Sequence, residues 1–153
     1  MLIAEDSEDD KDLMRLGFSK VSCPFRIQFV KDGIQAVQYL CGEDNFSQRD
    51  QYPLPSVVLT DLKMPRMDGF ELIKWIRTQP DFEKLPVIVL SSSNQIDDRI
   101  RAMRLGANSY LTKQLLVKPP HSLIEAISRF ASDYQSAILH RGHSPSSGNR
   151  RAA

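Results

Sequence analysis

Five times along the chain a short apolar run gives way to a segment whose apolar positions recur at helical spacings. The runs are LIA at 2–4, FRIQFV at 25–30, VVLT at 57–60, VIVL at 87–90 and SYLT at 109–112. Behind them come Met14, Phe18 and Val21; then Ile34, Val37 and Cys41; then Gly69, Ile73 and Ile76. Ile96, Ile100 and Met103 follow the fourth run, and Leu123, Ile127, Phe130, Tyr134 and Ile138 the fifth. Spacings of three, four and seven predict one buried face per helix, whereas unbroken apolar runs predict strands covered on both sides. A repeated strand-then-helix order implies a parallel sheet with right-handed crossovers and helices on both faces. The expected fold is therefore α/β, a doubly wound (βα)5 unit with a five-stranded parallel sheet; the flavodoxin-like form of such a sheet has the order 2-1-3-4-5. FRIQFV fits the edge position of strand two, because Phe25, Ile27 and Phe29 alternate with Arg26 and Gln28.

Helix starts are marked by a capping residue with an acid three positions on: Asp68 with Glu71, Asn94 with Asp97, Ser122 with Glu125. The stretch SQRDQYPLP at 47–55 reads as a surface connection. Residues 1–139 are expected to form one domain. Residues 140–153, HRGHSPSSGNRRAA, lack apolar periodicity and are expected to be a disordered polar tail.

Composition narrows the function classes. Lys and Arg total 20 against 19 acids, a balance that argues against a nucleic-acid-binding stripe or a membrane-surface protein. Cys23 and Cys41 have no metal-ligand spacing and read as reduced, which together with no membrane-length apolar run makes a cytoplasmic protein the expectation.

Chemistry collects at the strand ends. Glu5 and Asp6 follow strand one, Asp61 strand three, Ser91 strand four and Lys113 strand five. In an open parallel sheet these carboxyl ends share one edge, where such folds bind ligands. Three carboxylates there repel one another unless a cation joins them, and hard oxygen donors without His or Cys suit Mg2+. An aspartate beside such an ion can take a phosphoryl group, with a lysine and a hydroxyl to hold the remaining oxygens. Taken singly, Glu5 and Asp6 read as helix-start acids, Asp61 as a turn residue, Ser91 as loop, Lys113 as a solvated charge and Tyr110 as core. Their conjunction in this order favours a phosphoryl-accepting site.

LIAEDSEDD, VVLTDLKMPRMDGFEL, LPVIVLSSS and GANSYLTK resemble the response-regulator receiver domains of two-component signalling, over roughly residues 2–138. DLKMPRMDG is close to that family's phosphorylation-site motif. The resemblance implies Asp61 as phosphoacceptor, and Glu5, Asp6, Asp61 and the Lys63 backbone carbonyl as Mg2+ ligands. It further implies Ser91 as switch hydroxyl, Lys113 as phosphate ligand and Tyr110 as aromatic switch. A histidine kinase or phosphotransfer protein would be the donor, and a downstream protein, met through the helix-four, strand-five, helix-five face, the recipient. Neither direct DNA binding nor membrane insertion is expected. The longer loop before strand three resembles stand-alone receivers that partner cyanobacterial phytochromes, and the far end of helix five is a candidate homodimer contact.

The family usually places Pro directly after the strand-five lysine; here Gln114 follows Lys113, and Pro119 and Pro120 come later, after a second lysine, Lys118. Ending strand five at Thr112 puts Lys113 at the shared edge, whereas using Leu115–Val117 as the strand would favour Lys118. Among other functions, an aspartate-nucleophile phosphohydrolase would want a second aspartate two positions after Asp61, where Lys63 stands and cannot serve as the acid. An unphosphorylated scaffold of this fold would be expected to have lost an acid or the lysine. A flavin-binding module would want a phosphate cradle where the acidic EDSEDD lies. A signalling phosphoacceptor, rather than an enzyme acting on other molecules, is the expectation.

Overall fold

The computed structural model describes residues 1–117 and 121–141. Its strands are β1 (Leu2–Ala4), β2 (Gln28–Val30), β3 (Val58–Thr60), β4 (Val87–Ser91) and β5 (Ser109–Thr112), and its helices α1 (Glu8–Ser19), α2 (Gly33–Cys41), α3 (Gly69–Thr78), α4 (Ile96–Leu105) and α5 (His121–Arg141). Short 3-10 turns occupy Asp44–Phe46 and Lys113–Val117. All four strand pairings are parallel, as the alternation of runs and helices predicts, and the order is β2-β1-β3-β4-β5, that of the flavodoxin-like fold. Ile3 lies opposite Phe29 on one side and Leu59 on the other, and Leu59 lies opposite Ile88.

The pleat sends alternate residues into two separate cores. Leu2, Ala4, Val58, Val87 and Val89 face α2, α3 and α4, packing with Leu40, Leu72, Ile73 and Ile76. Ile3, Leu59, Ile88 and Leu90 face α1 and α5, packing with Met14, Phe18, Leu123 and Ile127. No helix among the described residues is long and apolar enough to cross a membrane.

Several local expectations are corrected. β2 covers only Gln28–Val30 of the run at 25–30. In α2 the buried positions are Gly33, Ala36, Tyr39 and Leu40, while Ile34 and Cys41 are exposed. The face is rotated by one residue because Asp32, the N-cap, seats Gly33 against Met67, whose carbonyl accepts the Gly33 N–H at 3.1 Å. A Cβ on Gly33 would lie 2.6 Å from Met67 Cγ, so only glycine fits there. In α4 only Ala102 is buried, and Ile96, Ile100 and Met103 are exposed. The small Ala102 lets α4 lie close, and its apolar stripe faces outward. The N-cap of α4 is Gln95, with no side-chain cap, rather than Asn94. Asp68 and Glu71 do form the reciprocal capping box at α3. Both cysteines are free thiols. Of the expected tail at 140–153, the first two residues continue α5 to Arg141, and the remainder, with Lys118 and the Ser122 cap, lies outside the described residues and side chains.

Candidate functional site

β1 and β3 are neighbours, so their C-terminal ends deliver Glu5 and Asp61 side by side. The Glu5 N–H donates to the Val30 carbonyl at 2.9 Å and the Asp61 N–H to the Ala4 carbonyl at 3.0 Å, fixing both backbones to the sheet edge. After Asp61 the chain loops through residues 62–68 before α3 begins at Gly69. The first turn of α3 comes so close that a Cβ on Gly69 would stand 2.1 Å from the Asp61 carbonyl oxygen. The Gly69 N–H in turn donates to the Leu62 carbonyl at 3.0 Å. Gly69 is therefore required by close approach, which accounts for the glycine in DLKMPRMDG.

Glu5, Asp6 and Asp61 each offer a carboxylate oxygen within 4.8 Å of the others. Glu5 is wholly buried and Asp61 is 8 % exposed, whereas Asp6 faces solvent. Into this group comes Lys113, itself only 8 % exposed, from the end of β5. Its ammonium lies 2.7 Å from Asp61 Oδ2, 2.7 Å from Glu5 Oε2 and 2.6 Å from Asp10 Oδ2. The other Asp61 oxygen accepts the Leu62 N–H at 2.6 Å, and Glu5 Oε1 accepts the Ser7 N–H at 3.0 Å. Glu5 Oε2, despite its ion-pair distance to the lysine, lies in a direction unsuited to a hydrogen bond. Burial raises the Glu5 carboxyl above the ordinary glutamate range against the pull of Lys113 and the Ser7 amide. Burial also works to lower the Lys113 ammonium, but the carboxylates of Asp10 and Asp61 that accept its hydrogen bonds, with Glu5 beside them, outweigh it and hold it above the ordinary lysine range.

A crowded acid cluster with one buried carboxylate oxygen lacking a hydrogen bond fits a hard divalent cation with oxygen ligands. Glu5, Asp6 and Asp61 are the side chains that could hold it. Lys63 follows two residues after Asp61 with an exposed side chain.

Ser91 and Tyr110 form an adjoining unit. Ser91, buried at the end of β4, accepts the Ser93 N–H on Oγ at 3.2 Å. The Tyr110 ring is buried, and its hydroxyl donates to the Ser93 carbonyl at 2.9 Å. Ser93 Oγ donates to Asp98 Oδ2 of α4 at 2.6 Å. Ser93 thus joins the serine, the tyrosine and α4. Among the described residues neither Ser91 nor Tyr110 hydrogen-bonds to the acid cluster.

Two other residues escaped the sequence reading. Asp10 completes the lysine's partners, and the acid run SEDD hides it. Asp32, 1 % exposed, caps α2 through the Gln35 N–H at 2.9 Å and receives Arg66 Nε at 2.8 Å. That pair ties the turn before α2 to the loop after Asp61, where Arg66 takes a left-handed φ of 65°.

Comparison with known proteins agrees with this architecture. The family model for the response regulator receiver domain matches residues 1–128. Response regulator Rcp1 of Synechocystis sp. is 30% identical over 130 residues, covering 85% of this chain and 86% of Rcp1. The Mn(2+)-bound form of Rcp1 superposes with a TM-score of 0.70 at 30% identity, over 84% of this chain and 91% of the other. Response regulator RPA3017, from red light signaling of R. palustris, gives a TM-score of 0.70 at 36% identity, covering 82% and 86% of the two chains. The phosphorylated cyanobacterial phytochrome response regulator RcpA gives 0.69 at 27% identity, covering 89% and 93%. A family match over residues 1–128, with a 30% identical relative covered over 86% of its length, means that the chain belongs to the response regulator receiver domain family of two-component signalling.

Proposed function

We propose that residues 1–139 act as a phosphorylation switch in which Asp61 takes a phosphoryl group from a histidine kinase or phosphotransfer protein. The observation that carries this reading is the position of Asp61: a nearly buried carboxylate at the end of a central strand, within 4.8 Å of Glu5 and Asp6 and 2.7 Å from the Lys113 ammonium. A carboxylate oxygen of Asp61 attacks phosphorus. The P–O bond forms as the donor's P–N bond breaks, and the electron pair returns to the imidazole nitrogen, which takes up a proton. Lys113 and Ser91 hold phosphoryl oxygens, and water later attacks phosphorus to release inorganic phosphate and restore the carboxylate. Mg2+, held by Glu5, Asp6, Asp61 and the Lys63 carbonyl, would neutralise charge on the transferring group. This makes the chain a self-modifying phosphoacceptor in the cytoplasm rather than an enzyme with a separate substrate.

Output is read as a shift of the unit formed by Ser91, Ser93, Tyr110 and α4. The exposed Ile96, Ile100 and Met103 offer a partner protein an apolar surface on α4. Ile138 and Leu139, 49% and 71% exposed on the last turns of α5, offer a second copy of the chain another.

The test is incubation with a small acyl phosphate, with Mg2+ or with EDTA, followed by intact mass. One phosphate should add with Mg2+, disappear in alkali, and fail to add in EDTA or to Asp61→Asn. An Asp61→Asn protein labelled like the wild type would sink the assignment.

A further inference from the structure

Lysine's ammonium has three N–H bonds, and Lys113 meets three carboxylates: Asp10 at 2.6 Å, Glu5 and Asp61 at 2.7 Å each. Two of these belong to the group close enough to share a cation, and Asp10 does not. A cation arriving in the crevice therefore competes with Lys113 for Glu5 and Asp61, a phosphoryl group competes with those two carboxylates for Lys113, and both leave Asp10 untouched. Asp10 is also well placed to hold still. It is the third residue of α1, and its own N–H donates to the N-cap Ser7 at 3.2 Å. Its side chain is 31% exposed, against 9% for the lysine, so it grips the ammonium from the mouth of the crevice. The chain beyond Lys113 enters a 3-10 turn through Gln114, which has no ring to fix its φ.

We propose that Asp10 is a positioning residue for phosphoryl acceptance: it keeps one Lys113 N–H bond committed to α1 while the rest of the ammonium turns from Asp61 and Glu5 to the incoming phosphoryl oxygens. This rests on the reading of Asp61 as phosphoacceptor. Asp10 itself touches neither the donor nor phosphorus.

The experiment uses the full chain and acyl phosphate with Mg2+. Asp10→Asn should lower the maximal phosphorylation rate about tenfold, with half-saturating Mg2+ within about twofold of wild type. Asp10→Glu, which keeps the charge, should recover much of the rate. Asp10→Asn combined with Lys113→Ala should be no slower than Lys113→Ala alone, because the aspartate acts through the lysine. A readout independent of phosphate uptake is reductive methylation in EDTA: Lys113 should be modified several-fold faster in Asp10→Asn than in wild type. If Asp10→Asn melts below the assay temperature, Asp10→Ser carries the same expectations. Wild-type rate or unchanged Lys113 labelling in the variant overturns the proposal. So do multiplicative effects of the two substitutions, or a tenfold rise in half-saturating Mg2+, which would make Asp10 a metal ligand. A wild-type protein that takes up no phosphate instead removes the phosphoacceptor reading itself.

Discussion

Glu5 is the most costly residue of the crevice: wholly buried, beside another carboxylate, and ionised only against its surroundings. Its folded-state pKa is raised, so its contribution to stability is fully present below the ordinary glutamate value and is lost as pH rises through the elevated one. In EDTA, Glu5→Gln should therefore melt above wild type at neutral pH, and the gap should close as the pH falls into the ordinary glutamate range. A gap that is constant with pH would mean that Glu5 does not titrate between these limits. At this scale the sequence named Glu5, Asp61 and Lys113 because strand ends in a parallel sheet share an edge. The structure puts the Lys113 ammonium on Asp61, while Lys118 lies outside the described residues. Asp10 and Ser93 were not legible, since a run of acids and a run of serines offer no spacing that separates a working residue from its neighbours.

Elements were legible where apolar positions had to meet the sheet, and less so where a helix leans on other helices. The β4 run, the α3 capping box and the β5 segment stand where alternation and capping put them. The faces of α2 and α4 do not, because Gly33 and Ala102 set those contacts by being small, which hydrophobic periodicity ignores. A second feature invisible to periodicity is Arg77 at the end of α3. Its Nε donates to the Gly106 carbonyl at 2.9 Å, and Nη1 reaches the carbonyls of Glu83 at 3.0 Å and Leu85 at 2.8 Å. Nη2 reaches Asn108 Oδ1 at 2.8 Å. Gly106, at φ 107°, lies under this side chain, where a Cβ would stand 2.9 Å from Arg77 Cγ. One guanidinium thus clamps α3 to the turns before β4 and β5. Arg77→Ala should cost about 2–4 kcal/mol in urea denaturation, because several carbonyls lose a charged donor together. Arg77→Lys should restore only part, since an ammonium cannot span the fork. A loss below about 0.5 kcal/mol for Arg77→Ala would show the clamp to be dispensable.

At the scale of the molecule, the alternation of strands and helices and the parallel sheet were legible, because two-sided strands and right-handed crossovers leave few alternatives, while the strand order came from the known flavodoxin-like fold. The reach of α5 was legible too, as an apolar stripe longer than the sheet needs. Its 21 residues span roughly 31 Å at 1.5 Å per residue, whereas the strands are three to five residues long. Tyr134, Ala137 and Ile138 accordingly line a hollow with Pro80, Asp81, Glu83 and Lys84, away from the strand ends that carry Asp61. If the exposed Ile138 and Leu139 seat a second copy, sedimentation should show a dimer that Leu139→Asp converts to monomer. A wild-type monomer at high concentration, with and without acyl phosphate, would remove that role. The same helix gives Leu123, Ile124, Ile127 and Ala131 to one core, while Tyr134 packs against the other. The two layers already share every central strand, and α5 ties them together a second time. Through Tyr134 a helix longer than its sheet touches the layer opposite the one that buries it, so a disturbance at its far end reaches both faces of the sheet.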